Sequence, residues 1–147
     1  MNEQKRSRPL LIALKAEKEA VNFYARMANR SLNPDGKKMI KKILGEEKKH
    51  MKAIEQRLKK MKASLDYSGI LEKASILSEI NFEDPDLSDI EVINSAIEDE
   101  KHAITFYTRE AEGAAGQEEK EFYKTLSRDE ESHMRVLERA RLKLKKK

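Results

Sequence analysis

The sequence predicts an all-α protein: a four-helix bundle made of two repeated helical hairpins with a long connection between them. Its apolar residues recur every three to four positions, as on helices that bury one face, and no β-branched run alternates as strands do. Charged residues make up 39% of the chain and apolar residues 38%, a balance typical of helical proteins. The sequence also contains an internal repeat: the shift in residue number that takes Glu17 to Glu100 superimposes the first half of the sequence on the second. We call this shift the repeat offset.

The length of 147 residues suits one domain with a core of its own. We expect residues 1–147 to form a single domain, with hairpins at about 9–62 and 88–145 and a connection at about 63–87. No segment approaches the ~18 apolar residues of a membrane span, and no signal-peptide core is evident. The sequence therefore favours a soluble, cytoplasmic protein without a membrane partner.

The two helices of the first hairpin can be delimited from the residues that begin and interrupt the apolar pattern. Apolar spacing predicts a first helix over about residues 9–30, with Pro9 in its first turn, where a missing N–H costs nothing. Residues 31–36 interrupt the pattern. Asn33 is the expected N-cap of a second helix that starts at Pro34 and runs to about residue 62.

The connection differs from the helices in composition. Residues 63–87 are acidic, are broken by Gly69 and Pro85, and contain one amphipathic stretch at about 70–80. An extended chain of this length can return along a helix of ~40 Å.

The second hairpin begins with a capping signal. Ser88 and Glu91 form the capping-box pattern that opens a third helix. That helix ends near Gly113, and a fourth helix runs from about Gln117 to the basic tail.

Charge is unevenly distributed. Residues 1–62 hold 18 Lys/Arg and 7 Asp/Glu, or +11, residues 63–88 carry −5, and residues 89–147 carry −2. A basic face attracts nucleic acid or acidic partners. Because the lysines lie mostly off the apolar stripes and no aromatic residues interleave them, we interpret this face as solvated helix surface and do not expect nucleic acid as a partner.

Two copies of one motif lie on the apolar faces. Glu47 and His50 are three residues apart and share a helix face, and the repeat offset takes them to Glu130 and His133. Glu17 is likewise repeated as Glu100 on the first helix of each hairpin. A buried, unpaired carboxylate costs several kcal/mol, so four of them predict bound cations. Two divalent ions would balance four carboxylates.

Other residues compete for these roles. A single Glu-x-x-His usually lies on a surface, and only its repetition favours a metal site. Glu46 and Asp129 are alternative partners of the histidines, but they are less well centred on the apolar stripes. His102 is expected on the opposite, solvent-exposed face. The hydroxyls of two more residues, Tyr24 and Tyr107, could hydrogen-bond the ligating carboxylates or be ordinary core groups.

The repeated pattern resembles the di-iron domain of the rubrerythrin family, in the ferritin-like superfamily, over about residues 9–140. The matching motifs are Glu17-x-x-Ala20-x-x-x-Tyr24, Glu47-x-x-His50, Glu100-x-x-Ala103-x-x-x-Tyr107 and Glu130-x-x-His133. The resemblance implies that Glu47 and Glu130 bridge two metals. It also implies that Glu17 and Glu100 are terminal ligands and that His50 and His133 complete one metal each. It further implies a left-handed connection between the hairpins and a homodimer.

By the same resemblance the cofactor would be two Fe ions, and the oxygen and imidazole ligands also suit Mn or Zn. The implied function is that of a non-haem di-iron oxidoreductase, a peroxidase that reduces H₂O₂ or O₂. The chain has no Cys, so it contains no rubredoxin module, and its electrons would come from a separate, rubredoxin-like donor protein. Ala103 stands where many peroxide-reducing relatives carry an extra carboxylate. Alternatives are a ferroxidase or iron-storage protein, a metal-free basic scaffold, and an oxygenase acting on an organic substrate.

Overall fold

The structure, a computed structural model, is all-helical in the part of the chain that it describes, residues 3–30, 33–71 and 75–145. It contains four α-helices and a short 3₁₀ helix, and no β-strand occurs in those ranges. The helices are α1 (Glu3–Ala28), α2 (Pro34–Lys60), α3 (Asp89–Glu112) and α4 (Gln117–Lys145), and the 3₁₀ helix is Leu77–Glu79. The predicted all-α class is confirmed. None of the described helices combines the length and apolarity needed to cross a bilayer.

The chain divides into two compact units, Met1–Ser75 and Ile76–Lys147. In the first unit α1 packs against α2, and in the second unit α3 packs against α4. Each unit therefore contains one of the two predicted hairpins. The expectation that residues 1–147 form one domain stays a prediction.

Helix α1 starts at Glu3, earlier than the predicted start near residue 9, and Pro9 lies inside it. Proline removes one backbone donor, but the Glu, Gln, Lys and Arg residues before it are good helix formers. Lys5, Arg6 and Arg8 lie in this added segment, and all three are exposed. The segment therefore has no apolar periodicity that could have predicted it.

The two ends of α2 have clear local causes. At the start, the Asn33 side-chain oxygen accepts a hydrogen bond from the Gly36 N–H at 2.7 Å, and Pro34 occupies the first turn, as predicted. At the other end Lys62 has φ 56°, and the Ala63 N–H donates to the Leu58 carbonyl at 2.9 Å. This left-handed turn ends the helix at Lys60, two residues before the predicted end.

The connection contacts α1 where it leaves the first hairpin. Lys15 Nζ donates to the Ile70 carbonyl at 3.1 Å, and the Lys18 ammonium lies 5.2 Å from the centre of the Tyr67 ring. The predicted amphipathic stretch at 70–80 falls partly outside the described residues, which omit 72–74. Its described part buries Ile70 and Leu77.

The second unit confirms the predicted capping box. Ser88 Oγ accepts from the Glu91 N–H at 3.2 Å, and a Glu91 carboxylate oxygen accepts from the Ser88 N–H at 3.4 Å. Helix α3 then ends at Glu112 with Gly113 as its C-cap. The Ile76 N–H donates to an Asp99 carboxylate oxygen at 3.3 Å, which fastens the start of this unit to α3.

Candidate metal centre

In the first hairpin, two carboxylates meet one imidazole. Glu17 comes from α1, and Glu47 and His50 come from one face of α2 because they are three residues apart. His50 Nδ1 lies 3.0 Å from Glu47 Oε1 and 3.6 Å from Glu17 Oε1. We call Glu17, Glu47 and His50 the first triad.

The second hairpin repeats this arrangement with Glu100 from α3 and Glu130 and His133 from α4. His133 Nδ1 lies 3.4 Å from Glu130 Oε1 and 3.8 Å from Glu100 Oε1. We call these three residues the second triad. Equal sequence spacing has thus produced nearly equal geometry in the two hairpins.

Every member of both triads is buried. The exposed fractions are 2% for Glu17, 1% for Glu47 and 5% for His50. They are 1% for Glu100, 2% for Glu130 and 3% for His133. Carboxylates that are shielded from water to this degree need cationic or hydrogen-bonding partners to offset the lost hydration.

The donor atoms of each triad suit a divalent ion. Within a triad each residue offers one ligand atom, and these atoms lie within 4.8 Å of one another. The histidine nitrogens lie 3.0–3.8 Å from the carboxylate oxygens, and two atoms at these separations can share one ion with bonds of about 2 Å. Carboxylate and imidazole donors without thiolate are the ligand types that Fe and Mn accept, and they also suit Zn. The buried groups of each hairpin therefore fit a metal-binding role.

The competing residues named from the sequence are less buried than the triads. Glu46 and Asp129 are both half-buried, beside the fully buried Glu47 and Glu130. His102 is exposed on α3, as expected for the face away from Glu100. Burial thus separates the triads from their neighbours in sequence.

The two tyrosines named from the sequence are core residues. Tyr24 has 0% exposure and packs edge-to-face on Phe23 at 5.3 Å between ring centres. Tyr107 has 2% exposure, contacts Phe106 edge-to-face at 5.5 Å and stacks on Tyr123 at 6.2 Å. Each ring is therefore held by aromatic neighbours on its own hairpin.

The second hairpin contains a buried polar pair that was not predicted from the sequence. Ser127 is buried on α4, and its hydroxyl lies 3.0 Å from that of Thr108 on α3. Ser127 precedes Glu130 by three residues and so shares its face, a spacing that could have revealed it. The equivalent residues of the first hairpin are Leu44 and Ala25, so this bond has no counterpart there.

A second missed group lies on α1, two residues after Glu17. Glu19 is half-buried, and burial raises the pKa of its carboxyl, although the Lys15 charge and a hydrogen bond from Ser75 oppose this shift. Ser75 itself is buried. The pairing joins α1 to a residue far along the sequence, in the connection, so local spacing could not predict it.

Comparison with known proteins gives the same picture of the fold. The family model described as Rubrerythrin matches residues 9–141. A solved structure, a hypothetical protein from Pyrococcus furiosus, matches with a TM-score of 0.68 and 23% identity, covering 92% of this chain and 87% of that one. Together these matches confirm the predicted ferritin-like helical-bundle class. No curated protein sequence matches the chain.

Proposed function

Because the chain belongs to the rubrerythrin family, we propose that it is a non-haem di-iron oxidoreductase that reduces hydrogen peroxide. The observation that carries this proposal is the repeated triad: two buried carboxylates and one buried imidazole in each hairpin. In the proposal the two triads together hold two iron ions. O₂ is the alternative oxidant, and Mn or Zn are the alternative metals.

The proposed roles follow the ligand pattern of carboxylate-bridged bundles. Glu47 and Glu130 would be the ligands shared by the two ions, Glu17 and Glu100 would be terminal ligands, and each histidine would complete the ligand set of one ion. When bound, such a centre supplies the electrons that cleave the O–O bond, and each peroxide takes two electrons and two protons to give two waters. The chain supplies ligand geometry, charge balance and exclusion of water.

Apolar side chains around the glutamates support the exclusion of water. Glu17 is flanked on its face of α1 by the buried residues Ala13, Leu14 and Ala20. Glu100 is flanked on α3 by the buried residues Ala96 and Ile97. A dry surrounding strengthens the attraction between carboxylates and a cation. It also means that only small oxidants can reach the centre.

The electrons come from outside the chain in this proposal. The printed sequence has no Cys, and in the proposal a rubredoxin-like protein with a thiolate-ligated iron centre is the donor. The proposal also includes a homodimer and a cytoplasmic location, both expected from the sequence analysis. Sedimentation of the metal-loaded protein checks the dimer.

The first test is metal content. Protein from iron-supplemented cells should contain two irons per chain and show a near-UV ligand-to-metal absorption band. Glu47→Ala and Glu130→Ala should lose both. His102→Ala is the matched control, because His102 is an exposed histidine outside the triads, and it should keep both.

The second test separates the oxidants. Fe(II)-loaded protein is mixed with H₂O₂ or with O₂ in a stopped-flow instrument, without any donor protein. Faster oxidation by H₂O₂ supports peroxide reduction, and equal or slower oxidation rejects it. Uptake of more than two irons per chain in a cage-like assembly would instead support iron storage.

A further inference from the structure

The outer surface of α2 carries a cluster of exposed lysines. Every Lys or Arg position from 38 to 52 is a lysine, and every one is exposed. These residues, here called the lysine stripe, are Lys38, Lys41, Lys42, Lys48, Lys49 and Lys52. By the helical period they occupy about a third of the circumference and extend about 21 Å along the axis. They face away from Glu47.

Acidic residues of the same segment offset little of this charge. The segment contains Glu46 and Glu47. Glu47 is buried on the opposite face with 1% exposure. Glu46 is half-buried at the edge of the stripe. The exposed surface of this part of α2 is therefore strongly positive.

The internal repeat provides a comparison surface on α4. The repeat offset replaces the six lysines by two acidic, two basic and two neutral residues, namely Glu121, Lys124, Thr125, Glu131, Ser132 and Arg135. Its charges pair locally: Lys124 lies 3.9 Å from Glu121, and Arg135 lies 3.6 Å from Glu131. The equivalent helix of the same hairpin design thus forms without a lysine stripe. Helix formation alone therefore does not explain why α2 carries the lysine stripe.

We propose that the lysine stripe is the docking surface for an acidic one-electron carrier protein that reduces the metal centre. This inference rests on the proposed function, which needs two electrons from outside the chain for each peroxide. Two successive encounters oxidise two reduced carriers, and their electrons with two protons convert H₂O₂ to two waters. The stripe and His50 belong to the same helix, so a docked carrier is separated from the ligand by about one helix diameter, 10–12 Å.

The chemistry of the stripe favours an acidic protein over other anions. All six residues are Lys, a flexible point charge, whereas Arg is the usual bidentate phosphate ligand. Between Pro34 and Lys60 there is no Phe, Tyr or Trp on which bases could stack. The exposed large apolar residues of the described chain are Leu71 and Leu142, so α2 has no exposed apolar group to enter a bilayer.

A surface of this kind suits a brief encounter. Redox partners form small interfaces that favour speed over stability. Complementary charges raise the rate of association and make it sensitive to salt. Six mobile ammonium groups give long-range attraction without a fixed geometry, which allows fast release after electron transfer.

The binding test uses a purified acidic rubredoxin whose iron is replaced by zinc, so that no electron moves during the measurement. Its dissociation constant for the metal-loaded protein is measured by titration calorimetry at several salt concentrations. We expect affinity to fall about tenfold as salt rises from about 0.01 M to about 0.15 M, because the Debye length shrinks from about 30 Å to about 8 Å.

Charge reversals at equivalent positions of α2 and α4 test whether the carrier binds at the lysine stripe. Lys41→Glu with Lys52→Glu alters the stripe, and Lys124→Glu with Arg135→Glu makes the same change in net charge at the equivalent positions of α4. The first pair should weaken carrier binding about tenfold, and the second pair should change it less than about twofold. Equal weakening by both pairs would overturn the proposal, because net charge would then explain the attraction.

Two further measurements separate the rival outcomes. Metal content and carrier-free oxidation by H₂O₂ should be unchanged in both variants, so a docking failure is distinct from a failure of the proposed function. Tighter stripe-dependent binding to a DNA duplex or to phosphatidylserine vesicles would overturn the assignment to a protein. Stripe-dependent self-association at low salt would assign the surface to a second copy of the chain and would overturn it as well.

Discussion

At the scale of single residues, the glutamates of the triads are the groups that cost the most to bury. Glu47 and Glu100 are each only 1% exposed, and an ionised carboxylate in such a place loses most of its hydration. The histidine nitrogens lie 3.0–3.8 Å from carboxylate oxygens in each hairpin, where a protonated imidazole would offset part of that cost. A bound cation would offset more, which is the physical basis of the proposed metal site.

The Tyr24 hydroxyl is expected to support this site. Tyr24→Phe keeps the ring and its edge-to-face contact with Phe23 and removes only the oxygen. If the hydroxyl donates to a ligating carboxylate, metal affinity should fall at least about tenfold. Competition with a fluorescent chelator measures it. Tyr67→Phe, on the connection, is the control, and equal affinities in both variants would assign Tyr24 to packing.

Glu110 gives a pH-dependent prediction at the same scale. Burial raises the pKa of its carboxyl above 4.5, the neighbouring Glu119 carboxylate raises it further, and Arg109 opposes the shift. The raised pKa means that the folded state binds this proton more tightly than the unfolded state. Its contribution to stability is therefore complete below pH 4.5 and is lost as the pH rises through the folded-state pKa.

Glu110→Gln should accordingly raise the melting temperature at neutral pH but not below pH 4.5. The gain should stay below about 1 kcal/mol, because solvent screens this partly exposed group. Thermal unfolding across pH measures the difference. Glu112→Gln, at an exposed position of the same helix, is the control. A gain that persists in acid would contradict the electrostatic explanation.

At the scale of helices, the caps determine where each hairpin begins. Asn33 caps α2 with one bond, whereas Ser88 and Glu91 close a reciprocal pair of bonds at the start of α3. Both caps satisfy backbone N–H groups that a helix leaves without partners in its first turn. The first turns of α2 and α3 are thereby stabilised at the positions where the sequence predicted them.

Ser88→Ala should lower the free energy of unfolding by about 1 kcal/mol, because the Glu91 N–H loses its acceptor. Urea denaturation should show a lower midpoint with an unchanged slope. Ser132→Ala replaces an exposed serine inside α4 and should change stability by less than about 0.5 kcal/mol. Equal effects of the two substitutions would show that the capping box contributes nothing measurable.

At the scale of the whole molecule, the duplicated sequence places the same buried charge in both hairpins. Four buried glutamates should lower the stability of the metal-free chain, and metal binding should restore it. An ion present at about 1,000 times its dissociation constant adds about 4 kcal/mol per site. The proposed centre therefore couples folding to metal supply.

The double substitution Glu47→Gln with Glu130→Gln tests this coupling. In chelator, it should be more stable than the wild-type chain by at least about 1 kcal/mol, because neutral amides replace buried carboxylates. Addition of Fe(II) should then raise its melting temperature much less than that of the wild type. Differential scanning calorimetry measures both effects.

The repeat supplies the matched control for this test. Glu46→Gln with Asp129→Asn makes the same chemical change one residue earlier in each hairpin, at half-buried positions. This variant should keep the full stabilisation by Fe(II). Loss of that stabilisation in both variants would move the metal ligands away from Glu47 and Glu130.

Much of this protein followed from the sequence alone. Apolar periodicity, cap residues and the repeat offset predicted the helices and the capping box, and they identified the residues that the structure groups as two triads. Periodicity and caps depend on residues within a turn or two of one another. The repeat is found by comparing one such local pattern with another. Relations of this kind can be seen in a linear sequence.

Tertiary structure decided the rest. The distances around His50 and His133, the Ser127–Thr108 bond and the contact of Lys15 with the Ile70 carbonyl join residues from separate elements. The start of α1 at Glu3 lacked an apolar pattern, and only the structure located it. Sequence periodicity determines which face a residue occupies, but the separation of two faces depends on how the helices pack.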